Sequence, residues 1–458
     1  MMDYDLVVIG GGAAGLAAAT TAAQDRMGVA LISDGPLGGD CTFTGCVPSK
    51  TLIAAAAQGL TFHDAMQRVR ATVGEIAATE SAACLRRAGV HVIDGRARLL
   101  GGGAVAVDGT RLRAGAIVVA TGSRPAIPPL DGLAHTPFLT TDAVFDLREK
   151  PDSIVILGAG PVGCELAQAL CRLGVDVSVV EAAERLLPDI DPDAAAVLSK
   201  VFTREGIRIH TASRVVAVSG DDAAVTVRLD AGHRIAAARL LIATGRVPDT
   251  KGLDLPAAGV RTHERGFITV DRHLATTAAG VFAIGDVTGL FPHTHAAYAM
   301  GRSAVGAARH RLRRPSFEPR AIPRVIFTDP EIGVVGTDRG NPEGRGARVA
   351  YLPLAEVDRA ITAGRVDGFV KIVAGPRRLL RNLGGGQILG ATIVAPRAGE
   401  MIHEPALAMR TRMFTGRLAQ AIHAYPSWSI AIQQAAAQFF GEFGGRQAHP
   451  APAERSAA

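Results

Sequence analysis

Cysteine is scarce in this chain: five residues among 458, at positions 41, 46, 84, 164 and 171. That number is odd and that density low, which excludes a secreted fold stapled by disulfides. Aromatic residues make up only 4%, with a single Trp, so the cores have to be built from Ala, Val, Leu and Ile. Charge of one sign is not in large excess either, the formal net charge being +6. The basic residues gather at 302–324, 339–348 and 377–381 without interleaved aromatics. They read as solvated loops and strand ends, and no nucleic-acid partner is expected. No apolar run reaches the roughly 18 residues of a membrane span. The opening Met1-Met2-Asp3-Tyr4-Asp5 has acids where a signal peptide needs bases. The expectation is a soluble, cytoplasmic protein, in a compartment where a dithiol can be kept reducible.

Glycine, by contrast, is abundant, with 53 residues, many of them in tight turns. Length allows about three domains at roughly 150 residues each. Tyr4–Ile9 reads as a buried parallel strand, followed by a Gly-rich turn, an Ala-rich helix to about Gln24, and a second strand at Val29–Ser33. The pattern recurs at 153–181, with a strand at Ser153–Leu157, a turn at Gly158–Gly163, a helix at Cys164–Leu173 and a strand at Asp176–Glu181. Two such units predict two nucleotide-binding domains. A second repeat supports this: Ala116–Arg124 carries Ala120-Thr121-Gly122, and Leu240–Arg246 carries Ala243-Thr244-Gly245. From about Arg320 the texture becomes α+β. The last residues, rich in Gly, Ala, Pro and charge, read as disordered.

Three motifs carry chemistry. Gly10-Gly11-Gly12-Ala13-Ala14-Gly15 lies between a strand and a helix, where backbone approaches a pyrophosphate resting on the helix N-terminus. Gly158-Ala159-Gly160-Pro161-Val162-Gly163 repeats the pattern, and the strand after it ends in Glu181. A carboxylate there accepts from a ribose 2′-hydroxyl and repels a 2′-phosphate, favouring NADH over NADPH; a plain strand-end charge is the alternative, and Arg185 lies close by. The third motif runs Gly38-Gly39-Asp40-Cys41-Thr42-Phe43-Thr44-Gly45-Cys46-Val47-Pro48-Ser49-Lys50. Pro48 suits the first turn of a helix, which puts Cys46 near a helix N-terminus, where thiol pKa falls. Gly45 gives the chain room to bring the two cysteines together.

The third motif resembles the redox-active site of the class I pyridine nucleotide–disulfide oxidoreductases, which include dihydrolipoamide dehydrogenase, glutathione reductase and mercuric reductase. The resemblance covers residues 4–440 and rests on the order of the two Gly turns, the Cys pair, both Ala-Thr-Gly segments and Val281-Phe282-Ala283-Ile284-Gly285-Asp286-Val287. It implies an α/β fold of two Rossmann-like domains, for FAD and NAD, plus a C-terminal α+β dimerisation domain. The divisions expected are 1–150 with 262–318 for FAD, 151–261 for NAD(P), 319–445 for dimerisation and a disordered tail at 446–458. By the same resemblance Cys46 is the sulfur next to the flavin and Cys41 the interchange sulfur that meets substrate. Lys50 lies by flavin N5 and pairs with Glu165, a cation stabilising reduced flavin while the carboxylate offsets its burial. Asp286 binds the ribityl chain, and the cofactor-binding residues implied are Gly10, Gly12, Ala14, Gly15, Gly39, Thr121, Gly122, Gly158, Gly160, Gly163, Glu181, Gly245, Arg246 and Gly285.

The chain departs from the family in three places. Where a Glu usually ends the strand after the first Gly turn, Ser33 stands here with Asp34 beside it. The C-terminal His–Glu acid–base dyad is replaced by Tyr425 and Ile430. A phenol with a pKa near roughly 10 is a poor proton shuttle at neutral pH, and His423, two residues earlier, is either a substitute or an ordinary polar residue near the interface. Mercuric reductases share that Tyr, but they usually end in a vicinal Cys pair, whereas the last cysteine here is Cys171; Cys164 and Cys171 read as core. No resident metal site is expected. The preferred reading is a homodimeric FAD enzyme that passes electrons from NADH through Cys41–Cys46 to a small disulfide, a thiol-bound metal ion or a similar acceptor. The alternatives are a disulfide-independent NAD(P)H:quinone or oxygen reductase on the same fold, and a non-catalytic FAD-stabilised binding protein.

Overall fold

A computed structural model describes residues 2–310, 314–337, 346–377 and 379–451. The chain divides into two compact units, one of residues 1–151, 219–225 and 238–317, the other of 152–218, 226–237 and 318–458.

In the first unit the buried run Leu6-Val7-Val8-Ile9 belongs to β1 (Met2–Ile9). It pairs in parallel with β2 (Val29–Ser33) on one side and β6 (Thr110–Val119) on the other. β3 (Val90–Asp94) extends the sheet beyond β2, while β4 (Ala97–Gly101) and β5 (Ala104–Val107) form an antiparallel meander beyond β6. Because side chains alternate across a strand, Leu6, Val8, Leu31 and Val118 fill one core, and Val7, Ile9, Ile32 and Val119 the other. The helices of this unit that bear on the site are α1 (Ala13–Gln24), α2 (Gly39–Phe43), α3 (Cys46–Ala57), α4 (Phe62–Thr79) and α5 (Thr294–Arg309). α5 lies close on α1 because Gly301 has no side chain: a Cβ there would stand 2.8 Å from the Ala14 carbonyl oxygen.

The two Ala-Thr-Gly copies meet inside this unit. β7 (Ser123–Pro125) pairs antiparallel with β8 (Arg246–Pro248), so the strand that follows the second copy packs with the first unit. β9 (Val281–Ala283) adds to β6 in parallel and delivers Asp286 just beyond its end.

The second unit holds the parallel strands Ser153–Leu157, Asp176–Val180 and Arg208–His210 with the helix Pro161–Arg172. It also holds an antiparallel sheet ordered Arg324–Ile326, Glu331–Gly336, Gln387–Ala395, Phe369–Gly375, Arg348–Pro353, His449–Pro450. Part of the expected disordered tail is therefore built into the fold. His449 and Pro450 pair with Val349 and Arg348, and Arg446 forms an ion pair with Glu356 at 2.6 Å; an open sheet edge and a nearby carboxylate hold this stretch. Residues 452–458 lie outside the described residues. Among those described, no helix is long and apolar enough to cross a membrane.

Candidate active site

β1 ends at Gly10, whose φ of +110° only glycine adopts freely; a Cβ there would stand 2.3 Å from the Ala120 oxygen. Gly15 lets α1 start close behind, since a Cβ would fall 1.9 Å from the Gly10 oxygen. Gly12 caps α1 with no side-chain hydrogen bond, and a Cβ on it would meet nothing within 4 Å. Space is thus open beside the start of α1, and the cradle fits the pyrophosphate of a dinucleotide. Gly285 backs onto Ala14, its absent Cβ leaving 3.0 Å to the Ala14 Cβ. At the end of β2, the Ser33 hydroxyl donates to the Gly35 carbonyl at 3.0 Å, and Asp34 lies 3.7 Å from Arg96 at the surface.

The same cradle carries the cysteine motif. The Gly38 amide donates to the Gly11 carbonyl at 2.9 Å, and Gly39 packs on Gly12. α2 then makes a single turn containing Cys41, Gly45 folds back against Asp40, and Cys46 opens α3 with Pro48 in its first turn. The Thr294 hydroxyl, at the start of α5, lies 3.1 Å from Cys41 Sγ and 3.5 Å from Cys46 Sγ. The Cys41 thiol is held above its ordinary range, first by its hydrogen bond with Cys46, then by burial and the charge of Cys46, with Thr294 pulling the other way. Lys50 is half-buried one turn after Cys46 on α3.

Asp286 sits behind this pair of turns. Ser123 Oγ donates to it at 2.8 Å and accepts from Arg246 Nε at 2.7 Å. The Arg246 guanidinium also holds the Ser123 carbonyl at 2.7 Å and forms an ion pair with Asp40. Burial raises the Asp286 carboxyl above its usual range, against the pull of Ser123 and Arg246. The Thr121 hydroxyl donates to the Asp249 carbonyl at 2.6 Å, and Gly122 and Gly245 turn at positive φ. Sequence reasoning named Arg246 and Asp286 but missed Thr294, Ser123, Asp40 and Glu80. Thr294 carried a readable signal, as a hydroxyl residue at a helix start shortly after the Asp286 motif.

In the second unit, Gly158 turns at φ +101° and Gly160 caps the helix Pro161–Arg172, which contains Gly163. The Glu181 carboxylate accepts from the amides of Ala159 at 2.8 Å and Ala183 at 2.9 Å, which fixes a negative charge at the strand end. Glu165, 4% exposed, accepts from the Phe327 amide at 2.9 Å. Cys164 and Cys171 bond the carbonyls of Ala159 and Glu205, both at 3.3 Å, and burial is the main cause that pushes both thiols up. Ile430 begins the helix Ile430–Ala437. Tyr425 is 70% exposed, and its phenol donates to Asp358 at 2.8 Å, which raises it further from acidity. His423 is engaged at both ring nitrogens: Nδ1 lies 3.1 Å from the Ala421 carbonyl, and Nε2 3.0 and 3.1 Å from the Glu404 oxygens. Among the described residues, no three His, Cys, Asp or Glu side chains are grouped to hold a metal ion.

The family description "pyridine nucleotide-disulphide oxidoreductase" matches residues 4–301, and that family's dimerisation domain matches residues 322–436. A mercuric reductase of Bacillus cereus is 30% identical over 463 residues, spanning 95% of this chain and 72% of the relative. An NAD(P)H dehydrogenase (quinone) of Mycobacterium tuberculosis is 35% identical over 465 residues, spanning 94% and 93%. The structure of the HOCl-induced flavoprotein disulfide reductase RclA from Escherichia coli superimposes with a TM-score of 0.86 at 29% identity, covering 95% of this chain and 99% of the other.

Proposed function

The chain belongs to the pyridine nucleotide–disulphide oxidoreductase family, and we propose that it is an FAD-dependent enzyme that drives electrons from NADH into the Cys41–Cys46 pair and from there to a small disulfide or a thiol-bound metal ion. The observation that carries this reading is the single Thr294 hydroxyl within reach of both sulfurs. Two thiols converge on one donor, in a cradle shared with the pyrophosphate turn.

When bound, FAD would supply the redox chemistry that links a hydride donor to the disulfide. The protein supplies the rest. The first turn of α1 would take the pyrophosphate, and Asp286 would hold the ribityl chain, its carboxylate fixed by Ser123 and Arg246. Lys50 would provide the cation for the flavin, and Glu165 is assigned the counter-charge. Cys46 is the flavin-side sulfur and Cys41 the interchange sulfur. Glu181, held by two amides, offers its remaining lone pairs to ribose hydroxyls and sets the preference for NADH over NADPH. The dimerisation domain makes the working form a homodimer, acting on a soluble acceptor in the cytoplasm. Tyr425 and His423 stand at the place of the acid–base dyad with their polar atoms already engaged by Asp358 and Glu404, so acceptors that need little proton transfer are favoured.

Anaerobic titration with NADH tests the reading. A long-wavelength thiolate–flavin band is expected in the wild type, retained in Cys41→Ser and abolished in Cys46→Ser; no band in either the wild type or Cys41→Ser sinks it. A second reading, disulfide-independent reduction of quinones, draws on the quinone dehydrogenase relative. Turnover of the acceptor that survives in both Cys variants is what it requires.

A further inference from the structure

We infer that Glu80 acts on the redox pair from within the same chain, keeping the proton on Cys41 and the thiolate on Cys46 once the enzyme is reduced; the inference rests on the dithiol reading above. Glu80 ends α4 as its C-terminal cap. Its Oε2 accepts from the Thr42 hydroxyl at 2.7 Å, and Thr42, 2% exposed, is the residue after Cys41. The same oxygen fills the space beside Gly38, where a Cβ would stand 2.3 Å from it and 2.7 Å from Thr42 Oγ1. The single turn of α2 therefore wraps a carboxylate oxygen between the residue that opens it and the neighbour of its cysteine. The bond to Thr42 comes from a neutral hydroxyl, so it orients the carboxylate without neutralising it.

A fixed negative charge opposes the ionisation of a nearby thiol. The Cys41 thiol is pushed up first by Cys46 and by burial, with Glu80 adding in the same direction; Tyr298, one turn beyond Thr294 on α5, is raised first by burial and then by Glu80. The other charged and titratable groups around the pair are differently disposed. Asp40 on α2 is held by Arg246. Lys50 follows Cys46 on α3. At the start of α5, His293 and His295 stack on each other with ring centroids 5.5 Å apart. Negative charge thus reaches Cys41 from α4, while Cys46 begins α3, whose N-terminal dipole favours a thiolate. Thr294 serves whichever sulfur is ionised, and Glu80 biases that choice away from Cys41.

The test is alkylation of the reduced holoenzyme with iodoacetamide under anaerobic conditions across a pH series, each modified cysteine located by peptide mass spectrometry. Glu80→Gln is expected to speed alkylation of Cys41 at pH 7 by about tenfold, the effect of a nearby like charge removed, and to move the midpoint of its pH profile downward. The charge-transfer absorbance of the NADH-reduced variant weakens in parallel, as thiolate shifts from Cys46 to Cys41. An unchanged Cys41 rate and midpoint, with FAD content equal to wild type, overturns the inference. Should Glu80→Gln lose flavin, Thr42→Val releases the carboxylate with its charge intact and decides in the same way, with a smaller shift in the same direction. Absence of the band in wild type counts against the dithiol reading instead, while alkylation of phosphine-reduced protein still decides this one.

Discussion

The Thr294 hydroxyl donates to Cys41 Sγ at 3.1 Å from the first residue of α5. Packing of α5 on α1 through Gly301 brings it there, so the seam that positions Asp286 over the pyrophosphate cradle also sets the donor between the sulfurs.

Thr294→Val keeps the shape and removes the donor. A hydrogen bond to a charged group contributes about 1.5–3 kcal/mol, so the thiolate of the reduced pair is expected to become roughly tenfold less populated at neutral pH. The midpoint of the charge-transfer absorbance against pH should move upward while FAD content stays at the wild-type level. A midpoint that stays put would show that Thr294 only packs.

Gly301→Val tests the seam itself. The new Cβ would meet Ala14 O at 2.8 Å and the Ala17 Cβ at 2.9 Å, contacts that backbone shifts must relieve at about 1–3 kcal/mol. A lower melting temperature and loss of bound flavin on gel filtration are expected together, because α5 and α1 share the cradle.

Asp286→Asn separates stability from cofactor binding. The folded-state carboxyl is raised, chiefly by burial. Such a group contributes stability that is complete below its unfolded pKa and is lost as pH rises through its folded pKa. At pH 7 the buried Asp286 is therefore a cost to the flavin-free protein, and Asn removes it. Flavin-free Asp286→Asn should melt no lower than wild type at pH 7, with the difference shrinking towards pH 4, while FAD retention falls. A large drop in the melting temperature of the flavin-free variant would contradict this.

Much of this was legible in the sequence because it rests on local constraints. Gly10 and Gly158 require positive φ, Gly15 a close approach, and the run Leu6–Ile9 a strand buried on both faces. The Cys spacing and Pro48 likewise announce their turn. What could not be read depends on chain segments meeting from far apart. Glu80 reaches Thr42 across 38 positions and Arg246 reaches Asp40 across 206, and neither contact has a periodicity or motif of its own. The pairing of β7 with β8 was hidden for the same reason: the repeat was visible, but not that its two copies face each other. His423 was visible as a candidate, whereas its partner Glu404 lies 19 residues away in an ordinary helical stretch.

That partnership yields the last prediction. Both ring nitrogens of His423 are engaged, and its side chain is 9% exposed against 28% for Glu404. A proton shuttle needs a nitrogen turned toward its acceptor; this ring instead ties the loop before Ile430 to the helix His403–Arg410. His423→Ala should cost about 1–2 kcal/mol, the loss of a hydrogen-bonded pair that is partly open to solvent. Turnover per bound flavin should stay within about twofold, and the pH profile should keep its basic limb. Tyr425→Phe should do still less, since it removes only an exposed bond to Asp358. A fall of tenfold or more in kcat for His423→Ala, with the basic limb lost and the melting temperature unchanged, would make the imidazole the missing acid–base group and bring dihydrolipoamide-type chemistry within reach of this site.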